Sequence, residues 1–207
     1  MIELSTYLVI HMFISLIYTE FVFGGILCNA EKRKIHTGKN VYEIIRDILL
    51  DEGLWGEIKI DMSPDRKAYE SFYVEKSRTI QLSDADGTAQ AVGTAIHECG
   101  HAVQYNKSVM MKKVIRVRDA LKKFCLPDMV SPLAVLFFDG FCTPLYIVFS
   151  FFLLKLIARI LIELFVEIDA NLRILKYIKK HISNPEDRRT VKKFLAACSL
   201  TYLSTLN

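Results

Sequence analysis

The stretch Ala95-Ile96-His97-Glu98-Cys99-Gly100-His101-Ala102-Val103-Gln104 decides how the rest of the chain is read. Its two histidines stand four positions apart, close to one helical turn. On a helix both imidazoles leave the same face and can share one tetrahedral zinc. Glu98 sits between them, within reach of a water at that metal. Zinc lowers the pKa of such a water toward neutrality, so Glu98 can take its proton as general base and later hand it to a leaving amine. The small residues Ala95, Gly100 and Ala102 let another element approach closely. The flanks predict a helix from about Thr88 to Asn106, after a loop at Asp84 to Gly87 with Asp86 as N-cap.

Upstream, Val41, Ile44, Ile45, Ile48 and Leu49 fall at helical spacing, with Gly53 as a stop. Ile58, Ile60 and Met62 alternate with Glu57, Lys59 and Asp61, the pattern of a strand. Ser63-Pro64-Asp65 reads as a turn. Phe72 to Val74 and Arg78 to Leu82 read as two more short strands. The second is read either as an edge strand that holds an extended substrate through backbone hydrogen bonds or as an ordinary sheet strand.

The ends of this segment are apolar. Ser5 to Cys28 is one hydrophobic run, broken only by His11 and Glu20 and long enough for a bilayer. No Lys or Arg precedes it and no small-x-small site closes it, which argues against a cleaved signal peptide. Lys32, Arg33, Lys34 and Lys39 follow, placing the next segment in the cytoplasm by the positive-inside rule. Residues 107–124 are basic and amphipathic, suited to an anionic membrane surface or to an ordinary solvated face. Val130 to Val166 is almost wholly apolar, with Pro132, Gly140 and Pro144 as breakers. Within it Lys155, Arg159 and Glu163 begin a polar stripe that Glu167 continues at every fourth residue. Lys176 to Arg189 is polar and basic. Phe194 to Leu206 is apolar but too short to span alone.

A catalytic zinc needs a third protein ligand and an open position. Glu167, in Phe165-Val166-Glu167-Ile168-Asp169-Ala170-Asn171, is the best placed; Glu163 and Asp169 compete with it. His36 and His181 have no supporting context. His97, His101 and Glu167 must meet on one side of a membrane, so the chain between them is expected to form a transmembrane or re-entrant hairpin.

The composition agrees. The chain has 207 residues, 52% of them hydrophobic, and its mean hydropathy is +0.25, high for a wholly soluble protein. The net charge of +4 is too small to argue for nucleic acid, and no nucleic-acid motif accompanies it. Cys28, Cys99, Cys125, Cys142 and Cys198 form no CxxC pair and read as reduced, small hydrophobes.

Three segments together resemble one known family: Tyr73-Val74-Glu75-Lys76-Ser77-Arg78-Thr79-Ile80-Gln81-Leu82-Ser83, His97 to Gln104, and Val166-Glu167-Ile168-Asp169-Ala170. Ala196 to Tyr202 is a weaker fourth. In this order they are similar to the neutral zinc metallopeptidase family of prokaryotic integral membrane proteins, itself similar to membrane-bound gluzincins such as the CAAX-prenyl endopeptidases. The resemblance implies zinc on His97, His101 and Glu167, Glu98 as the catalytic base, and a peptidase facing the cytoplasm. The chain departs from the pattern in a short apolar region before Glu167 and an early stop of the C-terminal apolar segment.

The expectation is therefore an α+β membrane protein. It has a mostly helical zincin-like core, a small β-sheet, an N-terminal transmembrane helix and an apolar helical hairpin. Residues 1–29 are the anchor, 30–128 the zincin-like segment, 129–166 the hairpin and 167–207 the C-terminal helices with the third ligand. Its function would be zinc-dependent cleavage of membrane or membrane-proximal proteins at the inner membrane. Its partners would be peptide or protein substrates and membrane lipid, not nucleic acid. The alternative is a non-catalytic membrane scaffold with a structural metal site. Glu98 favours the enzyme, because a structural site has no need of that carboxylate.

Overall fold

A computed structural model describes residues 24–63, 71–83, 86–122 and 143–201. Helical residues 24–32 (α1) lead to α2, Val41–Asp51. Asn40 caps α2 through a reciprocal box: its side chain accepts from the Glu43 N–H, and Glu43 accepts from the Asn40 N–H. Its apolar residues at positions 41, 44, 45, 48 and 49 are all buried.

Three strands follow: β1 (Lys59–Met62), β2 (Phe72–Val74) and β3 (Thr79–Leu82). Their order is β1-β3-β2, with β1 parallel and β2 antiparallel to β3. Of the two readings of Arg78 to Leu82, the edge strand is thereby corrected and the ordinary sheet strand stands. β3 has both sides paired, and the edge nearest the helices is β2. Strand order is a tertiary outcome: β1 pairs with β3 across the chain that contains β2, and no local pattern encodes that.

α3 (Ala89–Lys107) is the central helix. Thr88, not Asp86, is its N-cap, with Oγ1 accepting from the Ala91 N–H. Asp86 sits one step back and accepts from the Thr88 N–H. Residues around most of its circumference are buried, among them Val92, Ala95, Ile96, Cys99, Ala102 and Gln104, as befits a helix enclosed by others. α4 (Val109–Lys122), α5 (Thr143–His181) and α6 (Pro185–Thr201) complete the fold. Asn184 caps α6 and Pro185 opens it, a position where the missing N–H costs nothing. α3 packs against α2, α4, α5, α6 and the sheet. The main core gathers Ile44, Ile48, Ile80, Ile96, Ile174, Tyr177 and Phe194; a second cluster joins Met111 and Ile115 of α4 to Val166 of α5.

The expected membrane architecture is not what the described residues form. No helix among them is long and apolar enough to cross a membrane. From 143 onward the expected hairpin is instead one continuous helix of 39 residues. The reason lies in the polar stripe: Glu163 and Glu167 are buried against protein and held by ion pairs and histidines. Residues 1–23 of the expected anchor and residues 129–142 of the expected hairpin lie outside the described residues.

Two glycines set how closely the helices approach. A Cβ on Gly100 would lie 2.6 Å from the Ala170 carbonyl oxygen, so α3 and α5 touch backbone to backbone there. A Cβ on Gly93 would lie 2.8 Å from the Phe194 ring of α6.

Candidate metal centre

His97 and His101 leave α3 on one face, and the Gly100–Ala170 contact brings α5 against that face one turn from Glu167. His97 Nε2 lies 3.1 Å from Glu167 Oε2, His101 Nε2 lies 3.5 Å from Glu167 Oε1, and the two Nε2 atoms are 3.1 Å apart. Tetrahedral ligands about 2.0–2.1 Å from zinc stand about 3.3 Å from one another. The three donors therefore already have the spacing of three corners around such an ion. All three residues are largely buried, Glu167 most of all.

The ring nitrogens facing away from this point fix what faces toward it. His97 Nδ1 is 2.9 Å from Asn171 Oδ1, and His101 Nδ1 is 3.2 Å from Gln104 Oε1. Neither amide can be turned round. The Asn171 NH2 donates to Ser199 Oγ and the Leu195 carbonyl. The Gln104 NH2 donates to the Val166 carbonyl and Asp169 Oδ2. Each Nδ1 thus faces an acceptor and must carry its proton, which in a neutral ring leaves Nε2 a bare lone pair. Two lone pairs and a carboxylate then converge in a buried site, an arrangement that calls for a cation. Glu167 Oε2 in addition accepts no hydrogen bond although it is buried. A proton on one ring serves one of these contacts; a divalent ion serves all three.

The electrostatics agree. Burial opposes charge on His101, but Glu167 beside it wins and raises the ring to about 9. Burial likewise pushes Glu167 up, yet His101 and His97 hold it well below the usual carboxylate range. Each group is set to face opposite charge.

Glu98 is buried beside the pair. Its Oε2 accepts from the Tyr73 N–H of β2 at 2.7 Å, which aims the carboxylate along the cavity. Burial raises the Glu98 carboxyl, with His97 and His101 pulling the other way, a direction suited to proton transfer near neutrality. A cavity of about 240 Å³ opens over the cluster, lined by Ser71, Phe72 and Tyr73 of the sheet side and by residues of α3, α4 and α5.

The other candidates are elsewhere. Asp169 holds Gln104 and Arg173 instead of a metal. Glu163 lines the same cavity further out, paired with Lys122. His36 is exposed, and His181 is buried against Tyr177. Cys28, Cys99 and Cys198 form no disulfide among the described residues; Cys125 and Cys142 lie outside the described residues. Asn171, Gln104 and the Tyr73 amide were not anticipated. The first two had a signal: Asn171 is four residues beyond Glu167 and Gln104 three beyond His101, each on its ligand's helix face.

A family model described as "Putative neutral zinc metallopeptidase" matches residues 5–206. Neither a curated protein nor a solved structure matches the chain. The chain belongs to that zinc metallopeptidase family, whose model spans nearly its whole length.

Proposed function

For a member of this family, we propose that the chain hydrolyses peptide bonds with a zinc ion held by His97, His101 and Glu167 and with Glu98 as general base. The observation that carries the reading is the pair of Nδ1-anchored imidazoles whose Nε2 lone pairs meet Glu167. Zinc bound there would acidify a water and polarise the scissile carbonyl. Everything else falls to the chain's own side chains. Glu98, aimed by the Tyr73 amide, takes the proton from the attacking water and delivers it to the leaving nitrogen. Asn171 and Gln104 hold the Nδ1 protons, which turns each Nε2 toward the metal position and fixes the rings in orientation. Among the described residues the cluster offers three ligands and not four, which would leave a coordination position for the reaction, as in catalytic sites. β2 is the sheet edge beside the cavity, so a substrate backbone can add to it as a further strand.

The test is zinc content and peptide cleavage of the purified protein against Glu98→Gln and Glu167→Ala. Glu98→Gln is expected to keep its zinc and lose cleavage, by a factor of at least about 10²–10⁴. Glu167→Ala is expected to lose both. A wild-type protein that binds zinc yet is as inert as Glu98→Gln on a broad peptide pool would leave a scaffold with a structural metal in place of the enzyme.

A further inference from the structure

The cavity over the metal cluster continues outward to charged side chains that hydrolysis does not use. Arg118 of α4 stands among three carboxylates, 2.9 Å from Asp119, 3.7 Å from Glu75 and 3.8 Å from Glu163. Only the Asp119 contact has hydrogen-bonding length. Glu163 is 5% exposed. Its Oε1 takes the Lys122 ammonium at 2.9 Å, but its Oε2 is buried and accepts no hydrogen bond. Glu75, just past the end of β2, has Arg118 at 3.7 Å as its nearest paired cation. Burial raises its carboxyl and Arg118 offsets this only in part.

A buried carboxylate oxygen without a donor is costly, and native proteins keep such atoms where a ligand completes them. Both carboxylates line the cavity that holds His97, Glu98 and His101. The two cations of the lining, Arg118 and Lys122, already donate to Asp119 and Glu163. The unmet demand in this part of the cavity is therefore for a donor with positive charge.

We propose that Glu163, with Glu75, forms a subsite for a cationic group of the substrate, an ammonium or guanidinium next to the scissile bond. The subsite rests on the peptidase reading above and names the substrates it favours. The group comes either from a Lys or Arg side chain or from a free amino terminus. Arg118 lies 3.7 and 3.8 Å from the two carboxylates, beyond hydrogen-bonding length, so the incoming cation completes Glu163 Oε2. An acidic residue in the same place would meet both carboxylates.

The experiment is digestion of a mixed peptide pool by the zinc-loaded protein, with cleavage sites mapped by mass spectrometry. It is followed by kcat/KM on matched peptides carrying Lys, Gln or Glu at the position the map selects, each with a free or an acetylated amino terminus. The expected result is a preference for Lys or Arg at one position. The Lys-over-Gln ratio should fall about tenfold or more in Glu163→Gln, the scale of a lost hydrogen bond to a charged group. Glu75→Gln, which leaves the Lys122–Glu163 pair between α4 and α5 in place, should lower the same ratio and guards against a folding defect in the first variant. Loss of cleavage on acetylation assigns the cation to the amino terminus; indifference to it assigns a side chain. Cleavage without a cationic preference, a preference for Glu, or an unchanged ratio in both variants overturns the subsite and leaves the peptidase standing. No cleavage of any peptide by wild type overturns the peptidase reading and the subsite with it.

Discussion

Gly100→Ala tests whether one backbone contact sets the ligand spacing. The new Cβ would meet the Ala170 carbonyl oxygen at 2.6 Å, against 3.4 Å for an ordinary contact, a shortfall of about 0.8 Å. A backbone oxygen inside a helix cannot swing aside, so α5 itself must retreat. Glu167 lies one turn from Ala170 and retreats with it, and its 3.1 Å separation from His97 Nε2 opens by a similar amount. Metal sites tolerate only about 0.2 Å in their ligand distances. Overpacking of this kind costs about 1–3 kcal/mol, while Ala in place of Gly returns at most about 1 kcal/mol of helix propensity. The sum is a destabilisation of up to roughly 2 kcal/mol, or up to about 8 °C in Tm for a chain of this size. Zinc affinity should fall at least about tenfold, because the retreat falls on a ligand. Thermal unfolding and competition against a chelating dye measure both. Gly93→Ala is the control: it meets the Phe194 ring, a side chain that can turn, and should leave zinc affinity nearly intact. A Gly100→Ala protein that melts at or above wild type and binds zinc equally well would refute the argument.

Three further outcomes follow from the same structure. Asn171→Ala removes the acceptor at His97 Nδ1, and Gln104→Leu removes the one at His101 Nδ1; each should weaken zinc about 10–100-fold in a chelator competition without moving the ligands themselves. Removing the metal should lower Tm, and restoring it should raise Tm with concentration, since only the folded chain assembles the three ligands. Glu52 gives a pH signature. Burial works to raise its carboxyl, but hydrogen bonds from Lys107, Lys176 and Tyr177 prevail and bring it to about 2. A depressed carboxylate contributes stability above its unfolded value, about 4.3, and loses it as pH falls toward 2. Its lysine partners are half in solvent, which reduces the contribution to on the order of 1–2 kcal/mol. Glu52→Gln should thus melt below wild type at pH 6, with the gap closing by about pH 2.

His97, Glu98 and His101 were legible because their spacing is a property of any helix. Glu167 was legible as the best placed of several acids on a helix face, with Glu163 and Asp169 as competitors, and the family resemblance implied the same residue. Neither reading could show why Glu167 and not Asp169 faces the two histidines: Asp169 is spent on Gln104 and Arg173. The stripe Lys155, Arg159, Glu163, Glu167 was read as one polar face, and its last two members do share a cavity. The surrounding apolar residues suggested bilayer, yet several belong to protein packing, Val166 against Met111 and Ile115 above all. Hydrophobicity alone does not say which solvent a face meets. Strand order and the Thr88 cap were out of reach for a similar reason, since partners distant in sequence or competing polar neighbours decided them. The Tyr73 amide was out of reach for a stronger one: every residue but proline has that N–H, so nothing in the sequence marks it.

The Asn171 amide that fixes His97 is itself held by Ser199 and the Leu195 carbonyl. During synthesis α3 leaves the ribosome about a hundred residues before α6 is made. For that interval the His-Glu-His helix exists without its last brace, and before Glu167 emerges without its third ligand. A metal site assembled in this order gains its acidic corner only with α5 and its outermost brace only with α6, so full metal affinity comes after the bundle closes and not while α3 stands alone.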